Sequence, residues 1–145
     1  MLTDDDRTLL AGARRAVLAT IAPDGHPRLV PVCFVIDPVH PVVYTPLDDK
    51  PKSVDDPTAL ARVRDIAADE RAALLVDRWD EDWTRLAWLR LDGLAALLAP
   101  DAPGHQAIVA ALRARYPQYA THRLDDRPLI AITVDRATRW GAAGG

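Results

Sequence analysis

Of the 18 basic residues only two are lysines, Lys50 and Lys52, and they stand two positions apart around Pro51. In an extended segment such a spacing points both side chains to one side. The pair can therefore set two ammonium groups against one anion such as a phosphate, or it can be an ordinary solvated loop. Arg62 and Arg64 follow; their planar forks suit carboxylate or phosphate, and ion pairs with Asp65 and Asp69 would explain them equally well. The four tryptophans are Trp79, Trp83, Trp88 and Trp140. Trp79 and Trp83 flank Asp80-Glu81-Asp82, which reads as a solvated turn rather than as acid–base machinery. Their indoles could fill a core or interface, or wall a cleft beside a flat ring. Trp88 lies within an apolar run and reads as core. Trp140 reads as packing against a partner subunit or a ring.

Other chemistries find little support. His26, His40, His105 and His122 are scattered without zinc-ligand spacing, so no metal site is expected. An axial haem ligand would have to come from these histidines or from Cys33, the single cysteine. Ser53 is the only serine and lies outside any nucleophile-elbow pattern. Neither a dinucleotide-binding glycine fingerprint nor a P-loop can be written on the chain. A net charge of −3 argues against a nucleic-acid partner. The acidic start, Met1 to Asp6, lacks the basic and apolar regions of a secretory signal, and no apolar run has the length of a membrane span. The expectation is a cytoplasmic protein with no membrane partner.

The elements that must position these residues follow from turn chemistry and periodicity. At 145 residues and 49% apolar content the chain suits one domain, 1–145, with residues from about 137 onward as a C-terminal segment and tail. Thr3 and Asp6 have capping-box spacing for a helix to about Arg14. Strands are expected over 16–21 and 27–36, joined by the Pro23-Asp24-Gly25 turn. The second strand is apolar on both faces, so one face should meet a barrel interior and the other a helix or a second subunit. Pro31 places that strand at a sheet edge or a bulge. Further strands are expected over 42–45, 72–79, 86–98 (with Gly93 a candidate bulge) and 129–134. Helices are expected over 58–68, with Leu60, Val63 and Ala67 inward, and over 104–116, with Ile108, Leu112 and Tyr116 inward. Few helices and mainly hairpin connections point to a mainly β (α+β) fold, an antiparallel barrel with helices on its outside, rather than a doubly wound parallel sheet.

Two runs carry a resemblance. Arg15-Ala-Val-Leu-Ala-Thr-Ile-Ala-Pro-Asp-Gly-His-Pro-Arg-Leu-Val-Pro-Val32 resembles the opening hairpin of the split β-barrel, FMN-binding-like proteins related to pyridoxamine phosphate oxidase. Leu74-Leu-Val-Asp-Arg-Trp-Asp-Glu-Asp-Trp-Thr-Arg-Leu-Ala-Trp-Leu-Arg-Leu-Asp-Gly93, following a Lys-x-Lys loop, is similar to the branch that uses the deazaflavin coenzyme F-420 in place of FMN. The resemblance implies a homodimer with cofactor sites at the subunit interface and hydride transfer to or from a small organic substrate. FMN chemistry on the same fold, or non-enzymatic flavin, deazaflavin or haem binding, are the alternatives. It also implies cofactor contacts from Pro31, Val32, Thr45, Lys50, Lys52, Arg64, Trp79, Trp83 and Trp140, with Lys50 and Lys52 on the phosphate. Asp65 stands where the family often has Asn. No catalytic acid is implied.

The lysine pair yields a prediction. One charge-assisted hydrogen bond is worth about 1.5–3 kcal/mol, so Lys50→Ala or Lys52→Ala should weaken binding of a phosphorylated ring cofactor by roughly ten- to a hundredfold. A phosphate-free analogue of the same ring should lose much less. Titration of both ligands, with circular dichroism as the folding control, checks this; equal affinities in wild type and the double variant would remove the lysines from the site.

Overall fold

The computed structural model describes residues 1–47 and 60–142. Lys50 and Lys52, and the first two residues of the helix expected over 58–68, lie outside the described residues. The helix α1 (Asp4–Gly12) precedes strands β1 (Ala16–Ile21), β2 (Pro27–Val32), β3 (Val35–Ile36) and β4 (Val42–Pro46). Helix α2 (Ala61–Ala68), strands β5 (Arg71–Arg78) and β6 (Ala87–Leu98), helix α3 (His105–Arg115) and strand β7 (Leu129–Gly141) complete the order. All strand pairs are antiparallel and form one curled half-barrel sheet in the order β2-β1-β5-β6-β7-β4-β3. This is the split-barrel architecture. Among the described residues no helix is long and apolar enough to cross a membrane.

The sheet differs from expectation in three places. The strand expected over 27–36 is broken at Cys33–Phe34 into β2 and β3, which form the two ends of the strand order. Pro31 thus sits on an end strand, where its missing N–H does no harm. Phe34, fully buried, joins the main core, whereas Val35 packs with α3 in a second cluster. The last strand continues to Gly141 instead of stopping at 134. Asp92 pairs with Arg136 but Gly93 with Val134, leaving Asp135 as a bulge residue. The bulge sets exposed Asp135 and Arg136 side by side, which interrupts the alternation that marks a strand. Residues 137–141 are therefore strand, and Gly141 and Ala142 are pinned: Ala142 N–H donates to Leu86 O at 2.9 Å. In these two helices, Val63 and Ile66 of α2 and Val109, Leu112 and the following Tyr116 at α3 are the buried apolar positions; Ala67 is exposed and Ile108 only partly covered.

Helix α1 has the expected cap. Asp6 N–H donates to Thr3 Oγ1 at 3.1 Å, and Thr3 N–H donates back to Asp6 Oδ2 at 3.0 Å. The same carboxylate takes both arms of Arg139 from β7, Nε at 2.7 Å and Nη2 at 2.6 Å. At the other end of α1, Arg115 Nη2 donates to Leu10 O at 3.0 Å and also to Ala13 O. That supplies from α3 the cation which the last turn of α1 lacks. Tyr116 holds the break between β2 and β3. Its hydroxyl accepts from Phe34 N–H at 3.1 Å and lies 3.1 Å from the carbonyls of both Arg14 and Phe34, one of which takes its proton.

Asp65 is the third buried tie. Thr20 Oγ1 donates to Asp65 Oδ2 at 2.8 Å and Arg28 Nε at 2.7 Å, so α2 is fastened to β1 and β2 at once. Ion pairing with Asp65 was an even reading for Arg62 and Arg64; the bonded partner is instead Arg28, on a neighbouring strand. Burial pushes the Asp65 carboxyl up, but the bonds from Arg28 and Thr20 and the charges of Arg28 and Arg64 outweigh it, and it ends below its ordinary value. Asp6 is likewise raised by burial and lowered further by Arg139 and the Thr3 contacts.

Two outcomes follow from these ties. Tyr116→Phe removes the acceptor of a buried N–H and should cost about 1–3 kcal/mol, read as a lower denaturation midpoint with an unchanged slope. For the carboxylates, a folded value below the unfolded one means that their stabilisation is complete above the unfolded value of ~3.9 and is lost as pH falls through the folded values. Stability should be insensitive to these groups from pH ~7 to ~5 and drop below ~4. Asp65→Asn should be less stable at neutral pH and show a shallower acid limb; an identical acid limb in wild type and variant would remove Asp65 from this role.

Candidate functional site

Register decides which side chains share a face. On β1, β2 and β5 the even-numbered residues point into the barrel and the odd-numbered ones outward: Ala16, Leu18, Val32, Leu74 and Val76 are buried, while Val17, Leu29, Pro31 and Leu75 are outside. The outer face of a half-covered sheet is ordinarily polar. Here it is apolar: Leu29 and Leu75 are 67% and 41% exposed. Among the described residues α2 ties to these strands from the inward side, through Thr20, whereas α3 packs on the β3–β4 side.

The apolar strip continues into an open cleft of about 490 Å³. Its wall is aromatic. Trp88 of β6 stands opposite Trp140 of β7 in the ladder, and also opposite Asp77 of β5. Trp79 lies just past the end of β5, and all three indoles line the cleft with Val17, Leu29 and Leu75. Trp79 and Trp140 are 69% and 54% exposed, an unusual state for so much indole surface. Trp88 is half-buried and faces outward, so it belongs to this wall and not to the core. Its phase with Arg90 and Asp92, both polar, is the signal in the sequence that would have placed it there.

Charge in the cleft is sparse. Asp77, Arg78 and Arg90 are its ionisable lining residues. The Arg90 guanidinium lies 6.0 Å from the Trp88 ring centre, and its Nε is 3.6 Å from Asp92 Oδ2. Arg78 turns its fork onto backbone, with Nε to Arg85 O at 2.8 Å and Nη2 to Ala142 O at 3.2 Å. The acidic turn next to Trp79 is self-contained. Asp82 Oδ1 accepts from Thr84 N–H at 3.1 Å and from its hydroxyl at 2.6 Å, and Asp80 pairs with Arg85 at 3.2 Å. The Thr84 hydroxyl chiefly holds the Asp82 carboxyl below its usual range. These carboxylates brace a turn, as their sequence context suggests.

The candidate cofactor residues fall into separate groups. Trp79 and Trp140 line the cleft with Trp88, and Pro31 lies on the same outer face opposite Val17. Trp83 sits on a short 3-10 turn (Trp83–Arg85), 69% exposed and outside the cleft lining. Val32 points into the main core. Arg64 is exposed on α2. Thr45 is buried on β4 opposite Ile130, and its hydroxyl has no hydrogen-bond partner among the described residues. Leu29, Leu75, Arg78 and Trp88 are cleft residues that sequence reasoning did not select. Among the described residues no group of three His, Cys, Asp or Glu side chains is disposed to hold a metal ion.

Comparison with known proteins places this geometry. Solved structures share the fold at low sequence identity. A conserved hypothetical protein of Mycobacterium tuberculosis has a TM-score of 0.73 at 17% identity, over 97% of this chain and 86% of its own. The haem storage protein HutZ of Vibrio cholerae has a TM-score of 0.69 at 12% identity, over 97% and 94%. An F-420 reductase has a TM-score of 0.64 at 23% identity, over 91% and 94%. These likenesses establish the fold alone. The sequence itself matches the pyridoxamine 5'-phosphate oxidase family over residues 2–141, nearly its whole length, and the chain belongs to that family.

Proposed function

We propose that this protein is a cytoplasmic, homodimeric oxidoreductase that binds a flavin-type ring, coenzyme F-420 or alternatively FMN, and passes a hydride between it and a small organic substrate. The observation that carries this reading is the apolar cleft of about 490 Å³ walled by Trp79, Trp88 and Trp140. A flat ring system is the natural guest of such a wall, because indole faces bury large area and favour offset or edge contacts with other rings. The similarity of residues 74–93 to the deazaflavin branch, and an F-420 reductase among the fold relatives, favour F-420. Family membership supports FMN on the same fold.

Haem is the competing guest, since haem-binding proteins share the fold. Among the described residues the cleft lining contains no His, Cys, Met or Tyr that could serve as an axial ligand. His105, the one fully buried histidine, is directed elsewhere, with Nε2 2.7 Å from Arg127 O. The lining therefore suits an organic ring better than a porphyrin iron.

The dimer rests on two observations. A sheet face carrying exposed Leu29, Leu75 and Trp140 resembles half of a subunit interface. The candidate residues also lie at opposite ends of β7: Thr45 is on the strand facing Ile130, and Trp88 faces Trp140. Ten residues of strand separate these positions, roughly 30 Å along the chain. Site residues so divided suit a site shared between two copies. When bound, the ring supplies the hydride chemistry. The chain's own residues would orient it: Trp79, Trp88 and Trp140 on its plane, Lys50, Lys52 and the unpaired Thr45 hydroxyl toward its phosphate-bearing end.

The test is a titration of purified protein with coenzyme F-420, FMN and haem, followed by visible absorption and indole emission. Binding of F-420 with quenching of indole emission is expected. Trp79→Phe and Trp140→Phe should each reduce the quench and weaken binding roughly three- to tenfold, as loss of part of an aromatic contact does. Light scattering should give twice the chain mass, and Leu29→Arg should give a monomer. Haem binding with a shifted Soret band, in protein that takes up neither ring, would sink the oxidoreductase reading; a wild-type monomer at micromolar concentration would sink the shared site.

A further inference from the structure

Three tryptophans can form a wall only if the segments that carry them are held together; Trp88 and Trp140 are paired in the β6–β7 ladder, whereas Trp79 opens an irregular loop. Trp79 follows the last residue of β5, and Trp140 is the penultimate residue of β7. The loop between them in space, 79–86, carries no buried side chain. A loop with so little burial has few apolar contacts to order it, so its position must be set by polar ties to the rest of the fold.

One side chain makes those ties. Arg78 is the last residue of β5 and the immediate neighbour of Trp79. Its Nε donates to Arg85 O at 2.8 Å, closing the loop that begins at Trp79 back onto the strand it leaves. Its Nη2 donates to Ala142 O at 3.2 Å, reaching the segment that carries Trp140. That second segment is already pressed against the loop. Ala142 N–H donates to Leu86 O at 2.9 Å, and Gly141 has a φ of +99°, with the Leu86 carbonyl oxygen 2.1 Å from where a Cβ would stand. Arg78 thus bonds to both sides of a junction where the backbones already touch. It also lines each of the three adjoining hollows: the tryptophan cleft, the hollow between α1 and the end of β7, and the groove between α1 and the end of β5.

We propose that Arg78 is the positioning residue of the tryptophan wall, its guanidinium holding Trp79 and Trp140 in the arrangement that receives the ring. As a statement about ring binding this rests on the function proposed above; as a statement about indole order it does not. The planar fork serves the two carbonyls through two separate nitrogens, Nε and Nη2, held in a fixed geometry. Lysine offers donors from a single point, so the conservative change keeps the charge and loses the bridge.

The experiment compares wild type, Arg78→Ala and Arg78→Lys as full chains. Near-ultraviolet circular dichroism and indole fluorescence anisotropy report indole order without ligand; far-ultraviolet circular dichroism and the thermal midpoint report the fold. Coenzyme F-420 and FMN are then titrated. Both variants should keep the far-ultraviolet spectrum, lose much of the indole signal and bind the ring about tenfold more weakly, the scale expected when pre-organised side chains must be ordered on binding. Millimolar guanidinium should restore the indole signal of Arg78→Ala but not of Arg78→Lys, a rescue that a general loss of packing would not show. An unchanged indole signal in Arg78→Ala, or the same signal with and without guanidinium, overturns the proposal. If neither ring binds wild type, the functional reading fails, and the indole readout still decides the role of Arg78.

Discussion

The close approach of Thr133 to Gly93 organises this molecule. A Cβ on residue 93 would stand 2.2 Å from the Thr133 carbonyl oxygen, so only glycine allows β6 and β7 to pair there. At that point the ladder slips by one residue, and Asp135 is left without a partner. The extra residue Asp135 exchanges odd and even positions along β7, so its residues keep to the same face as their β6 partners on both sides of the slip. Before the slip, Trp88 and Trp140 face outward together. Beyond it, Leu98 and Leu129 pair on the side where α3 docks. On that shared outer face α3 packs at the Leu98 and Leu129 end, and the tryptophan cleft lies at the Trp88 and Trp140 end.

The remaining ties hold the sheet in shape around its open outer face. Asp6 caps α1 and takes Arg139 from β7, so the helix is fixed beside the strand end that bears Trp140. Asp65 fastens α2 to Thr20 and Arg28, the inner neighbours of the outer-face residues Ala19 and Leu29. Both carboxylates are buried, and each is matched by an arginine that is nearly half exposed. A carboxylate in that situation loses hydration but keeps several charge-assisted bonds. The apolar outer face can then stay open without the sheet collapsing onto itself.

Much of this was legible in the chain, wherever a residue has a single structural use. Pro31 marked an end strand because it cannot donate to a ladder; Thr3 with Asp6 marked a cap because the two bonds are reciprocal; Gly93 marked a bulge because a strand interior has no other need of glycine. Less legible were features in which alternation continues across a break or stops inside an element. Cys33 and Phe34 keep the apolar pattern while the backbone turns, so residues 27–36 read as one strand. Asp135 and Arg136 break the pattern while the strand runs on. Trp88 reads as core from its place within an apolar strand, although its phase with Arg90 and Asp92 puts it outside. Arg78 was invisible because its partners are backbone carbonyls, which no side-chain pattern records.

The chemistry of the cleft follows from its lining. Arg78 is committed to two backbone carbonyls, and Arg90 stands against Trp88 and Asp92. Asp77 lies on an exposed strand position opposite Trp88. The rest of the lining is apolar or aromatic. In the function proposed here the protein's share of the rate is then orientation and exclusion of water, which convert an encounter between two reactants into a reaction within one complex. That division of labour favours a stiff wall over a reactive one. It accounts for a site built from three indoles, two backbone-anchored strand ends and a guanidinium spent on carbonyl oxygens.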